Sequence, residues 1–191
     1  MITIAEINRR CFARRAALFA LGVYAELSNA RGRCPTKIYL TPDQAKQLIW
    51  SDLPMHHLEV ALTEAQSDVI ERESGVWMRK ANKTLKALRS FDNQWLIYDQ
   101  VIGKHENIDL AVGITNNGKI KAIEILVYRE SYGCEILHPK WLGQFLAKDV
   151  ADSIQIDRDI INISGATLSC VHVTNGVNRL IHTWDQVLKH L

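Results

Sequence analysis

Ser164-Gly165-Ala166-Thr167-Leu168-Ser169-Cys170 is the stretch of this chain whose residue types could do chemistry. Small residues form a turn there, between the apolar run Ile160 to Ile163 and a segment with helical spacing. The first N–H groups of a helix lack intrahelical acceptors, and the positive end of the helix dipole lies beside them. Such a start favours a phosphate. Gly165 and Ala166 let the backbone come close to that group, while Thr167 and Ser169 place hydroxyls at the same spot. Small residues ahead of a helix also act as ordinary caps, and the stretch alone does not separate the two uses.

Other reactive side chains are sparser. His56-His57 and His105 have no partners at metal-ligand spacing, so no metal site is expected. Ser164, Ser169 and His172 do not make a hydrolase, because the chain has no nucleophile elbow and residues this close on one helix start do not form a triad. Cys34, Cys134 and Cys170 contain no Cys-x-x-Cys pair, which argues against haem attachment, a zinc knuckle or a redox dithiol.

The elements that must position the turn can be read from patterning. Thr41-Pro42-Asp43 supplies an N-cap, a proline at the first helical position and an early acid, predicting a helix to about Trp50. Thr63-Glu64 opens a second helix that ends by Gly75. Residues 77–91 carry Arg79, Lys80, Lys83, Lys86 and Arg89 without an acid, and read as a solvated face. A basic patch for nucleic acid is the alternative, which the lack of aromatic spacing disfavours. Trp95 to Tyr98 reads as strand. Leu110 to Thr115 and Ile120 to Tyr128 are strands joined by a hairpin at Asn116-Asn117-Gly118-Lys119, where Asn-Gly supplies positive φ angles. Pro139 starts a short helix with Trp141, Leu142, Phe145 and Leu146 on one face. Val173, Val177, Leu180, Ile181, Trp184, Val187, Leu188 and Leu191 mark a long amphipathic C-terminal helix. The expected class is α+β, a mainly antiparallel sheet flanked by helices.

With 191 residues, 47% of them hydrophobic, the chain can bury one sizeable core, and disorder is excluded. The first thirty residues read differently. Arg9, Arg10, Arg14 and Arg15 precede an apolar run from Ala16 to Ala25, and Ser28-Asn29-Ala30 follows as a cleavage pattern. This is the build of an export signal over residues 1–30, with an amphipathic surface helix as the alternative. Asn8 to Arg14 resembles the twin-arginine signal, departing from it at Asn8 and Ala13, so the export route stays open. The remaining domain, 31–191, carries 19 basic and 19 acidic residues. That balance argues against nucleic acid or a membrane surface as partner, and Arg31-Gly32-Arg33 before Cys34 does not resemble a lipid-anchoring box.

Two segments together carry a family resemblance. Ser164-Gly165-Ala166-Thr167, with the helix after it, resembles the flavinylation motif of the FMN-binding domain family. Members of that family include flavin-carrying subunits of the sodium-pumping NADH:quinone oxidoreductase and of the Rnf electron-transfer complex. Upstream, Arg129 to Ile136, with Glu130, Ser131 and Gly133, resembles the family's Glu-Ser/Thr-x-Gly segment. Pro139 to Phe145 resembles its short helix, and Gly103-Lys104-His105-Glu106 a segment of small exported members. The likeness runs from about Asp109 to Leu180. Where the family often has Asp three residues before the motif serine, this chain has Ile161, then Asn162, with Asp157 and Asp159 out of register.

The resemblance implies FMN joined through its phosphate to Thr167 by a dedicated, Mg²⁺-dependent FMN transferase that uses FAD. Ser164, Gly165, Ala166 and Ser169 would surround the attachment point, with Glu130, Ser131 and Gly133 as further FMN-binding residues. It implies an exported, periplasmic electron carrier, without catalytic residues of its own, that meets a membrane or periplasmic redox partner. A cofactor-free binding or sensory module of the same fold, or a small flavin-dependent reductase, are the alternatives. At most one internal disulfide is possible after residue 30. Cys134 with Cys170 is the pair to test, since both flank the two segments.

Overall fold

The computed structural model describes Cys34 and residues 37–191; the export signal read over residues 1–30 lies outside the described residues. Two helices come early. Helix α1, Pro42–Trp50, and helix α2, Glu64–Ser74, each start at a threonine whose side chain accepts from the backbone N–H of a glutamine three residues on. The glutamine side chain in turn accepts the threonine N–H, at 2.8 Å for Thr41 and 2.9 Å for Thr63. Gly75 ends α2 in the left-handed region, as the sequence predicts.

Six antiparallel strands form one sheet: β1 (Lys37–Ile38), β2 (Met55–Ala61), β3 (Thr84–Ser90), β4 (Trp95–Ile102), β5 (Asn107–Ile114) and β6 (Ile120–Tyr128). Their order across the sheet is β1-β6-β5-β4-β3-β2. The β5–β6 hairpin is where the sequence places it. Its turn closes through Gly118 N–H to the Thr115 carbonyl and Thr115 N–H to the Lys119 carbonyl, both 2.9 Å. Only Gly118 has positive φ there, at 78°, not Asn117 as well. The turn is therefore the longer type that ends in a left-handed glycine.

The C-terminal helix α4, Thr167–Gln186, lays Val173, Val177, Leu180 and Ile181 into the main core against Ile97, Leu110, Val112 and Ile123 of the sheet. At this contact Arg179 and Asp99 form an ion pair with both side chains almost wholly buried, and Asn82 donates to Asp99 at 2.8 Å. Helix α1 covers part of the opposite face with Ala45, Ile49 and Trp50, packed in a second cluster with Leu88, Leu96, Ala111 and Ala122. Sheet and helices together make the α+β fold. Strands β1, β2 and β3 are the strands that patterning did not reveal. The basic run over 77–91 is a 3-10 turn, Lys80–Lys83, followed by β3, in which Lys86 faces solvent while Leu85, Ala87 and Leu88 are buried.

Candidate functional site

Helix α4 differs from the other two at its start. Ala166 occupies the N-cap position and has no side-chain oxygen to offer. Ahead of it, the Ala166 N–H bonds the Ile163 carbonyl at 3.0 Å, closing a turn with Gly165 as third residue at φ +86°. A turn with that angle at that position suits glycine. A side chain built on Gly165 would meet nothing within 4 Å, so the space over the turn is open. The N–H groups of Thr167, Leu168 and Ser169 have no acceptor among the described residues. Thr167 itself is exposed at the first helical position, its hydroxyl unengaged by any described residue. Open space and uncapped donors at a helix start fit a phosphate group.

Two clamps hold the turn from behind. The Trp141 indole N–H donates to the Ile161 carbonyl at 2.9 Å, and the Gln144 side-chain oxygen accepts the Ile161 N–H at 2.8 Å. Both come from the short helix α3, Pro139–Leu142, and the 3-10 turn after it, Gly143–Phe145. The Ile161 side chain is left 73% exposed. Asp159, which is out of register with the family's acid, is engaged by Lys148 at 3.1 Å.

The segment after β6 is seated against this turn. Gly133 has φ +85°, and a Cβ there would lie 2.9 Å from both the Ala166 Cβ and the Tyr128 hydroxyl. Only glycine combines that backbone angle with that approach. The Tyr128 hydroxyl donates to the Tyr132 carbonyl at 2.6 Å, so the Ser169 hydroxyl, 3.1 Å away, is the donor to Tyr128. Burial, partly offset by the Ser169 hydrogen bond, pushes the Tyr128 phenol up to about 12, and it stays a donor at ordinary pH. Ser169 is thus turned into the interior rather than toward the open space where the sequence reading put its hydroxyl.

Glu130 is 5% exposed, and one of its oxygens accepts the N–H groups of His105 at 2.6 Å and Glu106 at 2.9 Å. Burial works against its charge, but the amides of Glu106, His105 and Lys104 outweigh it and hold the carboxyl below its ordinary value. Its contacts in the structure order the Gly103–Glu106 loop; they are neither a surface ion pair nor a group facing open space. Ser131 is exposed, and its carbonyl accepts the Cys34 N–H at 2.6 Å. Cys34 forms the disulfide with Cys134, while Cys170 is a buried free thiol whose pKa is pushed up by burial. The pairing of Cys134 with Cys170 is therefore corrected. Cys170 faces inward on α4, and the N-terminal strand brings Cys34 to the loop instead.

The site thus joins the two segments named from sequence through Gly133 on Ala166 and Tyr128 on Ser169. Sequence reading missed Tyr128, the contact of Gly103 with Glu130, and the Trp141 and Gln144 clamps; the spacing of an apolar strand and a short helix carries no signal for such distant pairings. Among the described residues no group of three or more His, Cys, Asp or Glu side chains could hold a metal ion, and no helix is long and apolar enough to cross a membrane.

An antiparallel sheet flanked by helices, the last of which begins at an uncapped, threonine-bearing turn, defines an α+β domain. Residues 103–182 match the family model of the FMN-binding domain. The matched range takes in the Gly103 loop, Glu130, Gly133 and Thr167, and the match supports FMN binding by this segment. No curated protein matches the chain.

Proposed function

We propose that the protein is an exported electron carrier whose FMN is joined through its phosphate to Thr167 by an FMN transferase. The observation that carries this reading is the start of α4, where an exposed threonine hydroxyl stands beside three uncapped backbone N–H groups and an open glycine turn. Thr167 at the first helical position does not cap its own helix, so its oxygen can be esterified without cost to the fold. In the ester-forming step the Thr167 Oγ1–P bond forms, the pyrophosphate bond of FAD breaks, AMP leaves, and the hydroxyl proton passes to a base of the transferase. Threonine is a weak nucleophile unaided, which is why the base and Mg²⁺ come from the transferase. When bound, FMN supplies one- and two-electron chemistry.

This chain's own residues hold the site in shape. Tyr128 and Ser169 fix the segment after β6 against the helix start, and Glu130 orders the Gly103–Glu106 loop. Periplasmic residence is supported by the export signal read over residues 1–30 and by the Cys34–Cys134 disulfide, which suits an oxidising compartment. With FMN held there, the domain would exchange electrons with a membrane or periplasmic redox partner. The test is expression of residues 31–191 without a transferase, which should give colourless protein. Addition of transferase, FAD and Mg²⁺ should turn it yellow with colour that survives denaturation. Covalent labelling by FMN alone would contradict the mechanism.

A further inference from the structure

The open end of α4 continues along the helix as a stripe. Thr167, Leu168, Val171, His172 and Asn175 recur at the spacing of one helix face, and all are exposed or half-exposed, whereas Ser169, Cys170, Val173 and Thr174 point inward. Only one of the stripe's side chains combines a ring with hydrogen-bonding atoms. Nδ1 of His172 lies 2.9 Å from the Gly103 carbonyl. A carbonyl only accepts, so Nδ1 carries the proton, and in the neutral ring Nε2 is a bare acceptor. Nε2 has no partner among the described residues. The Gly103–Glu106 loop that holds the ring is itself held by Glu130, so the imidazole is fixed from the side away from the helix.

We propose that His172 is a flavin-binding residue of this domain: Gly103 sets the ring, and Nε2 accepts a hydrogen bond from an O–H or N–H of FMN lying along the stripe from Thr167. The inference rests on the attachment reading above. It adds a residue one and a half turns down the helix that composition and motif spacing did not single out for this role. FMN offers such donors in its ribityl hydroxyls and in its ring N–H. Leu168, 46% exposed between Thr167 and His172, supplies apolar surface beside the same path.

Asparagine and histidine share one donor position but not the other nitrogen, and that difference separates a flavin contact from a purely structural role. Wild type, His172→Asn and His172→Ala are loaded with transferase, FAD and Mg²⁺, and the load is read by intact mass. Flavin fluorescence anisotropy, midpoint potential and Tm are then measured on the loaded proteins. His172→Asn, which can still donate to the Gly103 carbonyl, should keep the mass gain and the wild-type Tm but lose anisotropy and shift in potential. His172→Ala should show the same flavin changes with a lower Tm as well. A loaded His172→Asn protein with wild-type anisotropy and potential would overturn the inference and leave the attachment reading standing. An unlabelled wild type would overturn the attachment reading and this inference with it.

Discussion

Three helices of this domain begin at or beside a threonine, and they use it in two ways. Thr41 and Thr63 sit outside their helices with extended backbone, φ/ψ −76°/161° and −71°/162°, and cap the first turn reciprocally with Gln44 and Gln66. Thr167 sits one position further in, behind Ala166 at −119°/14°, and caps nothing. A shift of one residue turns the same side chain from a satisfied cap into a free hydroxyl beside free N–H groups. The lesson is that the start of α4 is the one the sequence leaves uncapped, and its surroundings have to hold it in place instead.

That comparison can be broken most severely at the supports of α4. Gly133→Val places a branched side chain at φ +85° within contact of Ala166 and Tyr128, and should cost on the order of 3–5 kcal/mol in chemical denaturation. Equal stability of the variant would show that the segment after β6 is not seated on the helix start as described.

Glu130→Ala comes next. It leaves the N–H groups of His105 and Glu106 without their acceptor, at about 1–3 kcal/mol for each group that water does not reach. The carboxyl's value is lowered in the folded state, so its stabilisation is complete above the ordinary carboxylate range and fades as pH falls through the lowered value. Glu130→Gln should therefore flatten the acid limb of the stability-against-pH curve relative to wild type. Parallel curves would remove the charge from the account.

Much of this was legible in sequence, and the reasons for the rest are physical. The caps at Thr41 and Thr63, the Asn116–Lys119 turn and the amphipathic C-terminal helix are local signals, and each appears where its residues place it, except that the helix ends at Gln186 and Leu188–His190 form a 3-10 turn. Strand β2 is an edge strand, with His56, His57 and Glu59 exposed, so it shows little apolar alternation. Strand β3 hides its pattern under charge: Arg89 stacks over the Trp95 ring at 5.3 Å, and so works as apolar cover as well as a cation. The small-residue turn and the helix start at Thr167 were readable because their signal is written in consecutive residues. The bond between Glu130 and the His105 amide spans 25 positions, that between His172 and Gly103 spans 69, and the Cys34–Cys134 bridge spans 100. Only the folded sheet brings such pairs together.

The capped helices sharpen the contrast at smaller amplitude. Thr41→Ala and Thr63→Ala should each cost about 1 kcal/mol, the usual worth of a threonine cap. Thr167→Ala should change stability by less than about 0.5 kcal/mol, as expected of an exposed residue without a partner. A loss at Thr167 as large as at Thr41 would show that it caps α4 after all.

The variant with the smallest effect on the fold should have the whole effect on the flavin. Intact mass of wild type and Thr167→Ala, each treated with transferase, FAD and Mg²⁺ and then denatured, tests this directly. Wild type should gain the mass of one FMN phosphoester, and Thr167→Ala should gain none while remaining folded. The full added mass on Thr167→Ala, or its absence from wild type, would contradict attachment at the uncapped threonine.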